Sequence, residues 1–236
     1  MYTQRIINQI IKRRKELGIT QSELGRLSSL PQSTIARIET LKISPTIDTL
    51  MKIAAPLSLD ISFIDNSTIE TERLILRKFR LSDASDMFCG YCSDEEVTKF
   101  LSWNPHKSID ETKYLLESWA KDYSNPNTIK YAITLKENGK LIGAIDVVRY
   151  IDSIPEVGYA LSREYWNNGY MTEACTALRD YLIKIGFKKI YLRAYTTNER
   201  SNRVIVKCGF KYTGQIDMYE SKLKTNVRVN CYEYNA

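Results

Sequence analysis

Two hydrophobic rhythms divide the chain. Between Thr3 and Leu17, Ile6, Ile7, Ile10, Ile11 and Leu17 fall on or near one face of a helix, and Gly18 ends the run as a C-terminal glycine does. Thr20-Gln21-Ser22-Glu23 is a capping box that opens a second helix running to about Ser28. Pro31 suits a first helical turn, and Gln32–Glu39 reads as a third helix that buries Ile35 and Ile38 and leaves Gln32, Ser33, Thr34 and Arg37 outward. Ser44-Pro45-Thr46 opens a fourth helix, Ile47–Ala55, which Pro56 ends. This first segment is expected to be all-α.

Asp65-Asn66-Ser67-Thr68 is polar and turn-prone, and marks a boundary between a domain of residues 1–65 and one of residues 66–236. Beyond it the period falls to two. Leu74, Leu76 and Phe79 read as a strand, and Asp83–Tyr91 and Ile109–Lys121 as helices. Ile129–Lys136 and Leu141–Arg149 form a hairpin about Asn138-Gly139, a pair that favours the tightest turn. Val157, Tyr159 and Leu161 alternate along Pro155–Leu161, after which Ala174, Leu178, Tyr181, Leu182 and Ile185 return to helical spacing. A strand, a helix and two last strands from Phe210 to Tyr234 complete a mixed α/β domain.

At 236 residues and 43% hydrophobic, the chain is long enough for two modest globular domains. No stretch approaches membrane-spanning length, and Met1-Tyr2-Thr3-Gln4-Arg5 lacks the apolar core of a signal peptide, so no membrane association and a cytoplasmic location are expected. Cys89, Cys92, Cys175, Cys208 and Cys231 are odd in number and scattered, as free thiols in a reducing compartment are. Cys89-Gly90-Tyr91-Cys92 has metal-ligand spacing but no second pair, so no metal is expected. The net charge of +6 is too mild to announce nucleic-acid binding by itself. Lys12-Arg13-Arg14-Lys15 is the one dense basic run, read either as a solvated helix face or as a phosphate-facing one.

The stretch Gly158–Ala174 carries the strongest chemical signal, because it runs from a strand through a polar loop with one glycine into a helix start. A helix N-terminus offers unpaired N–H groups and partial positive charge, and Gly169 lets backbone approach a pyrophosphate; an ordinary strand-to-helix turn is the other reading.

Trp166-Asn167-Asn168-Gly169-Tyr170-Met171, followed in order by Asn198-Glu199-Arg200-Ser201 and Lys207-Cys208-Gly209-Phe210, resembles the GNAT superfamily of N-acetyltransferases, in particular the RimJ/RimL branch that acetylates ribosomal-protein N-termini. The resemblance runs from about Thr71 to the C-terminus. It implies acetyl-CoA as co-substrate, lying where the fourth and fifth strands splay apart. Its implied contacts are Tyr159, Ala160 and Leu161, the loop Asn167, Asn168, Gly169, Tyr170, Met171 and Thr172, and then Asn198 and Ser201. Acetyl transfer to an amine needs an uncharged nucleophile, a donor for the developing oxyanion and a proton for the leaving thiolate. Glu156 is the candidate to take the amine's proton through water, or is a solvated strand end. Ser201 is the branch's candidate acid, or a helix cap. Many relatives carry a tyrosine acid where this chain has Ile205. Asn198 reads as a natural left-handed residue of its turn. Trp103 and His106, in an early loop, are candidate acceptor-selecting residues, although an exposed loop histidine is the commoner case.

In the first segment, Thr20–Leu24, Pro31–Glu39 and Pro45–Leu50 resemble the Cro/C1-type helix-turn-helix repressor family. That resemblance implies double-stranded DNA as partner, a homodimer spanning two half-sites, a phosphate contact from Gln21, and base or backbone contacts from Gln32, Ser33, Thr34 and Arg37. The side-chain chemistry agrees: glutamine pairs bidentately with adenine and arginine with guanine. A helical protein-interaction module would use the same fold. The expected protein is an acetyl-CoA-dependent N-acetyltransferase acting on a primary amine, of a protein N-terminus or a small molecule, with a DNA-binding domain. The alternative is a transcriptional regulator that senses acetyl-CoA or an amine without turnover.

Overall fold

Glycine, threonine and proline set the helix ends of the first unit. α1 (Tyr2–Glu16) stops at Gly18, whose φ of 68° turns the amides of Gly18 and Ile19 back onto the carbonyls of Lys15 and Arg14. α2 (Gln21–Leu27) and α4 (Ile47–Ala54) are capped by Thr20 and Thr46, whose hydroxyls accept from the amides of Glu23 and Thr49. α3 (Gln32–Glu39) follows a turn in which Ser29 is left-handed, with φ 56°. Gly25 permits that turn to close: a Cβ there would lie 2.7 Å from the Leu30 carbonyl oxygen. Pro56 does not stop α4 cleanly but sits in one further 3-10 turn, Ala55–Leu57. Ile7, Ile10, Leu24, Ile35, Ile38, Leu50, Ile53 and Leu57 form the core. Leu17, expected on the buried face, lies past the end of α1 and is 42% exposed.

The structure, a computed structural model, describes residues 2–59, 68–125 and 127–236. They belong to two units, Met1–Asp65 and Asn66–Ala236. The expected boundary turn Asp65-Asn66-Ser67 lies outside the described residues. In the second unit β1 (Thr68–Glu70), β2 (Leu74–Arg77), β3 (Lys130–Leu135), β4 (Leu141–Ile151), β5 (Ile154–Leu161), β6 (Lys189–Tyr195), β7 (Lys211–Glu220) and β8 (Thr225–Asn235) form one sheet in the order β1-β2-β3-β4-β5-β6-β8-β7. Every neighbouring pair is antiparallel except β5 and β6. The short β1 is additional to the sequence expectation, so the fourth and fifth expected strands are β5 and β6. α5 (Ala84–Met87), α6 (Glu95–Thr98) and α7 (Ile109–Asp122) accompany a core of Phe79, Met87, Tyr91, Leu116 and Leu141. α8 (Tyr170–Lys184) and α9 (Glu199–Lys207) pack on the opposite face around Leu76, Ile133, Ile145, Leu178, Leu182 and Ile205.

Two turns differ from expectation. Asn138-Gly139 does not form the tightest hairpin, which requires positive φ at both residues; only Gly139 is left-handed, at 74°, and the connection spans Lys136 to Lys140. The two-residue turn lies instead between β4 and β5, where Asp152 and Ser153 have φ of 49° and 66° and Ile151 pairs with Ile154. The helix expected over Asp83–Tyr91 is broken after α5 by a wider turn, Phe88–Cys92, in which the Ser93 amide reaches the Phe88 carbonyl.

Candidate functional site

Beyond Val157 the two central strands part. β5 and β6 pair only at Glu156↔Tyr191 and Val157↔Leu192, while β5 stays paired to β4 as far as Leu161. Backbone N–H groups alternate along a strand, and that of Ser162 bonds to Ile142 on the β4 side, so those of Tyr159 and Leu161 face the opening. The opening belongs to a cavity of about 510 Å³, within the range of small-molecule sites. Glu156, Tyr159, Ala160, Leu161, Asn198 and Ser201 line it, as do Asn167, Gly169, Tyr170, Met171 and Thr172. Asn168 does not; its carbonyl accepts from Arg73 at 3.0 Å. Trp103 and His106 are also absent from the lining: the His106 ring nitrogen Nδ1 lies 2.8 Å from the Thr112 hydroxyl, and Trp103 packs 5.4 Å from the ring. Burial lowers the His106 pKa, against the opposing charge of Glu111.

Asn167 and Gly169 are left-handed, at φ 65° and 77°, which turns the chain sharply into α8. Gly169 caps α8 without a side-chain hydrogen bond, and the first amides of a helix have no acceptor within it, so this turn suits an anion. Glu173 braces the turn. Its carboxylate accepts from the Thr71 hydroxyl (2.6 Å) and from the Arg73 amide (2.8 Å) and Nε (2.7 Å), and the Arg73 guanidinium lies 4.3 Å from the centre of the Tyr170 ring. Burial pushes the Glu173 pKa up, but the hydrogen bonds from Thr71 and Arg73 outweigh it and hold the group below its ordinary value. The Met171 side chain is 5% exposed and packs into the main core, so it presents mainly backbone. The Trp166 indole donates to the Leu161 carbonyl at 2.8 Å, and Arg200 lies over that ring at 4.7 Å.

Asn198 is not left-handed as expected. At φ −90° and ψ 73° it caps α9, its Oδ1 accepting from the Ser201 amide at 3.2 Å. Ser201 Oγ stands 2.8 Å from the Tyr159 hydroxyl. Burial pushes the Tyr159 pKa well above its ordinary value, so the phenol keeps its proton. Glu156 is not a solvated strand end. It is 5% exposed, and its two oxygens accept from Arg149 at 2.9 and 3.1 Å, with Arg193 at 3.5 Å. A carboxylate so engaged anchors those two guanidinium groups. Among the lining residues that sequence reading missed are Phe100, Arg149, Arg193, Tyr195, Arg200, Arg203, Lys207, Met218 and Glu220.

In the first unit a polar chain runs behind the exposed face of α3. Gln32 Nε2 donates to Gln21 Oε1 (3.2 Å), Gln21 Nε2 donates to Glu39 (2.8 Å), and Glu39 receives a two-pronged Arg14 guanidinium at 2.7 and 2.8 Å. Gln32, Ser33 and Arg37 are exposed and Thr34 is half-buried. The basic run of α1 is partly absorbed: Arg14 belongs to this network, and Lys12 and Arg13 both lie near Glu16.

The sequence profile described as an acetyltransferase (GNAT) domain matches residues 73–211, and that described as helix-turn-helix matches residues 10–64. Over 167 residues the chain is 29% identical to the uncharacterized N-acetyltransferase YoaA of Bacillus subtilis, spanning 70% of this chain and 94% of that one. Over 59 residues it is 41% identical to an uncharacterized HTH-type transcriptional regulator of Haemophilus influenzae, spanning 25% of this chain and 60% of the other. The solved structure of the ribosomal α-N-protein acetyltransferase RimL in complex with coenzyme A matches with a TM-score of 0.62 at 19% identity, over 71% of this chain and 97% of that one.

Proposed function

The chain belongs to the GNAT acetyltransferase family and carries an N-terminal helix-turn-helix domain, and from that premise we propose that it transfers the acetyl group of acetyl-CoA to a primary amine, of a protein N-terminus or a small molecule, while the N-terminal unit binds double-stranded DNA as a homodimer. The observation that carries the first part is the parting of β5 from β6 over a cavity edged by the first turn of α8. A pyrophosphate fits that turn: Gly169 has no side chain to exclude it, and Arg200, Arg203 and Lys207 add positive charge along the same cavity. The open N–H groups of Tyr159 and Leu161 fit an arm of amides and a carbonyl. Acetyl-CoA supplies the activated acyl carbon as a thioester. The β5 amides would stabilise negative charge on the carbonyl oxygen of a thioester held there. Ser201 Oγ, 2.8 Å from the Tyr159 hydroxyl with either oxygen able to donate, would give a proton to the departing sulfur and recover it through Tyr159 or from water, while the proton released by the attacking amine passes to water.

The full chain should therefore release thiol from acetyl-CoA when offered a panel of amines and N-terminal peptides. Ser201→Ala should lower kcat by roughly 10²-fold or more while acetyl-CoA affinity, read by calorimetry, stays nearly constant. Equal turnover would reduce Ser201 to a part of the helix cap.

For DNA, the supporting observation is the outward face of α3 with Gln32 held by Gln21. One helix-turn-helix reads one half-site, so the proposal expects a dimer on half-sites about 34 Å apart or a multiple of that. Gln32→Ala should cost about 1–3 kcal/mol of discrimination at one base pair. Selection from random DNA that returned no inverted repeat would assign the unit to protein contacts instead.

A further inference from the structure

Glu220, the last residue of β7, is 5% exposed and lines the same cavity. Among the described residues it has no ion-pair partner. Its oxygens accept from the Tyr195 hydroxyl at 3.0 Å and the Lys222 backbone amide at 3.2 Å. The Lys222 ammonium feels the Glu220 charge but makes no ion pair with it, donating instead to the carbonyls of Thr98 at 2.7 Å and Leu101 at 3.4 Å. The cavity's Arg149 and Arg193 are engaged by Glu156. Burial and the neighbouring Glu220 push the Tyr195 pKa up to about 12, so at neutral pH that phenol is a donor. A carboxylate withdrawn from water with only neutral donors is costly unless a cation completes it. Phe100, Leu101 and Met218 add apolar surface to the same cavity; the Phe100 ring lies 5.5 Å from that of Tyr195, and the Met218 sulfur lies 3.8 Å from the guanidinium groups of Arg149 and Arg193.

We infer that Glu220 is the residue that receives the ammonium group of the acceptor, that the acceptor presents this group on an apolar stem, and that the bound ammonium gives one proton to water before the neutral amine attacks. The inference rests on the acetyl-transfer reading of the cavity and assigns its acceptor side. Glu156, already neutralised by two arginines, is not the ammonium partner.

Phenethylamine, an ammonium at neutral pH, is the probe, and phenethyl alcohol has the same stem without the charge. With the full chain saturated with coenzyme A, calorimetry should detect the amine and not the alcohol. Glu220→Gln keeps the side chain's shape and still accepts from Tyr195; it should weaken amine binding roughly ten- to a hundredfold, the effect of losing a charge-assisted bond. Coenzyme A affinity and the melting temperature should be unchanged, and in turnover KM for the amine should rise with little change in kcat. Amine binding that Glu220→Gln preserves, or a wild-type chain that binds alcohol and amine alike or neither, overturns the inference. Failure to bind coenzyme A while amine binding persists would instead overturn the acetyl-transfer reading.

Discussion

Gly169→Glu should weaken acetyl-CoA binding by at least about a hundredfold. Two effects add. A glutamate carboxylate within about 4 Å of a pyrophosphate repels it by about 4 kcal/mol in a surface-like dielectric. The residue is also left-handed, at φ 77°, which costs any side chain about 1–2 kcal/mol and weakens binding to the extent that the unliganded turn relaxes out of that conformation. The nearest cation offers little relief: Arg73, whose Nη2 lies 3.5 Å from where a Cβ would stand, is already held by Glu173 and the Asn168 carbonyl. Gly169→Ala carries the strain without the charge and should lose far less. Calorimetric titration of both variants separates the two effects. Unchanged affinity in a folded Gly169→Glu protein would remove the first turn of α8 from the cofactor site.

Much of the helical unit was legible because its signals are local. Gly18, Thr20, Pro31 and Thr46 each act within one turn of their own position, and α3 runs over the expected Gln32–Glu39. The mixed sheet and the loop into α8 were legible for the same reason, as alternation followed by helical spacing. The hairpin turns were not. Asp152 and Ser153 are left-handed without the Asn-Gly pair that usually marks such a turn, so the neighbouring strands fix their conformation.

That missed turn had a chemical consequence. Once Asp152-Ser153 is the turn, Arg149 and Glu156 are opposite residues of one hairpin, and their ion pair follows from register. Without the turn, Glu156 looks like a free carboxylate beside the cofactor loop. Tyr195 and Glu220 lay further from reach, because β7 is joined to β6 only across β8 and no local pattern announces that contact. His106 illustrates the converse: a lone histidine in a loop looks chemical in sequence, yet Thr112 on α7 holds it away from the cavity lining.

Glu39→Ala should destabilise the helix-turn-helix unit by about 3–5 kcal/mol, the usual loss when one partner of a buried ion pair is removed. The Arg14 and Glu39 side chains are only 11% and 6% exposed, so the variant strands a guanidinium with no counter-charge and frees Gln21, which positions Gln32. A unit of about 60 residues has roughly 3–9 kcal/mol of stability in total, so melting or hydrogen exchange of the full chain should show α1–α3 opening first. Replacing both partners, Arg14→Met with Glu39→Leu, should recover most of the loss but not the placement of Gln21. The pH dependence has a definite sign. Burial raises the Glu39 pKa, but the bonds from Arg14 and Gln21 and the Arg14 charge outweigh it, leaving it below the unfolded value of 4.5. The contribution is therefore complete above that value and is lost as pH falls through the lowered folded value. Wild type should lose stability in the acid range, and Glu39→Ala should show a shallower slope there. An equally steep slope in the variant would mean that other carboxylates govern the unit's acid response.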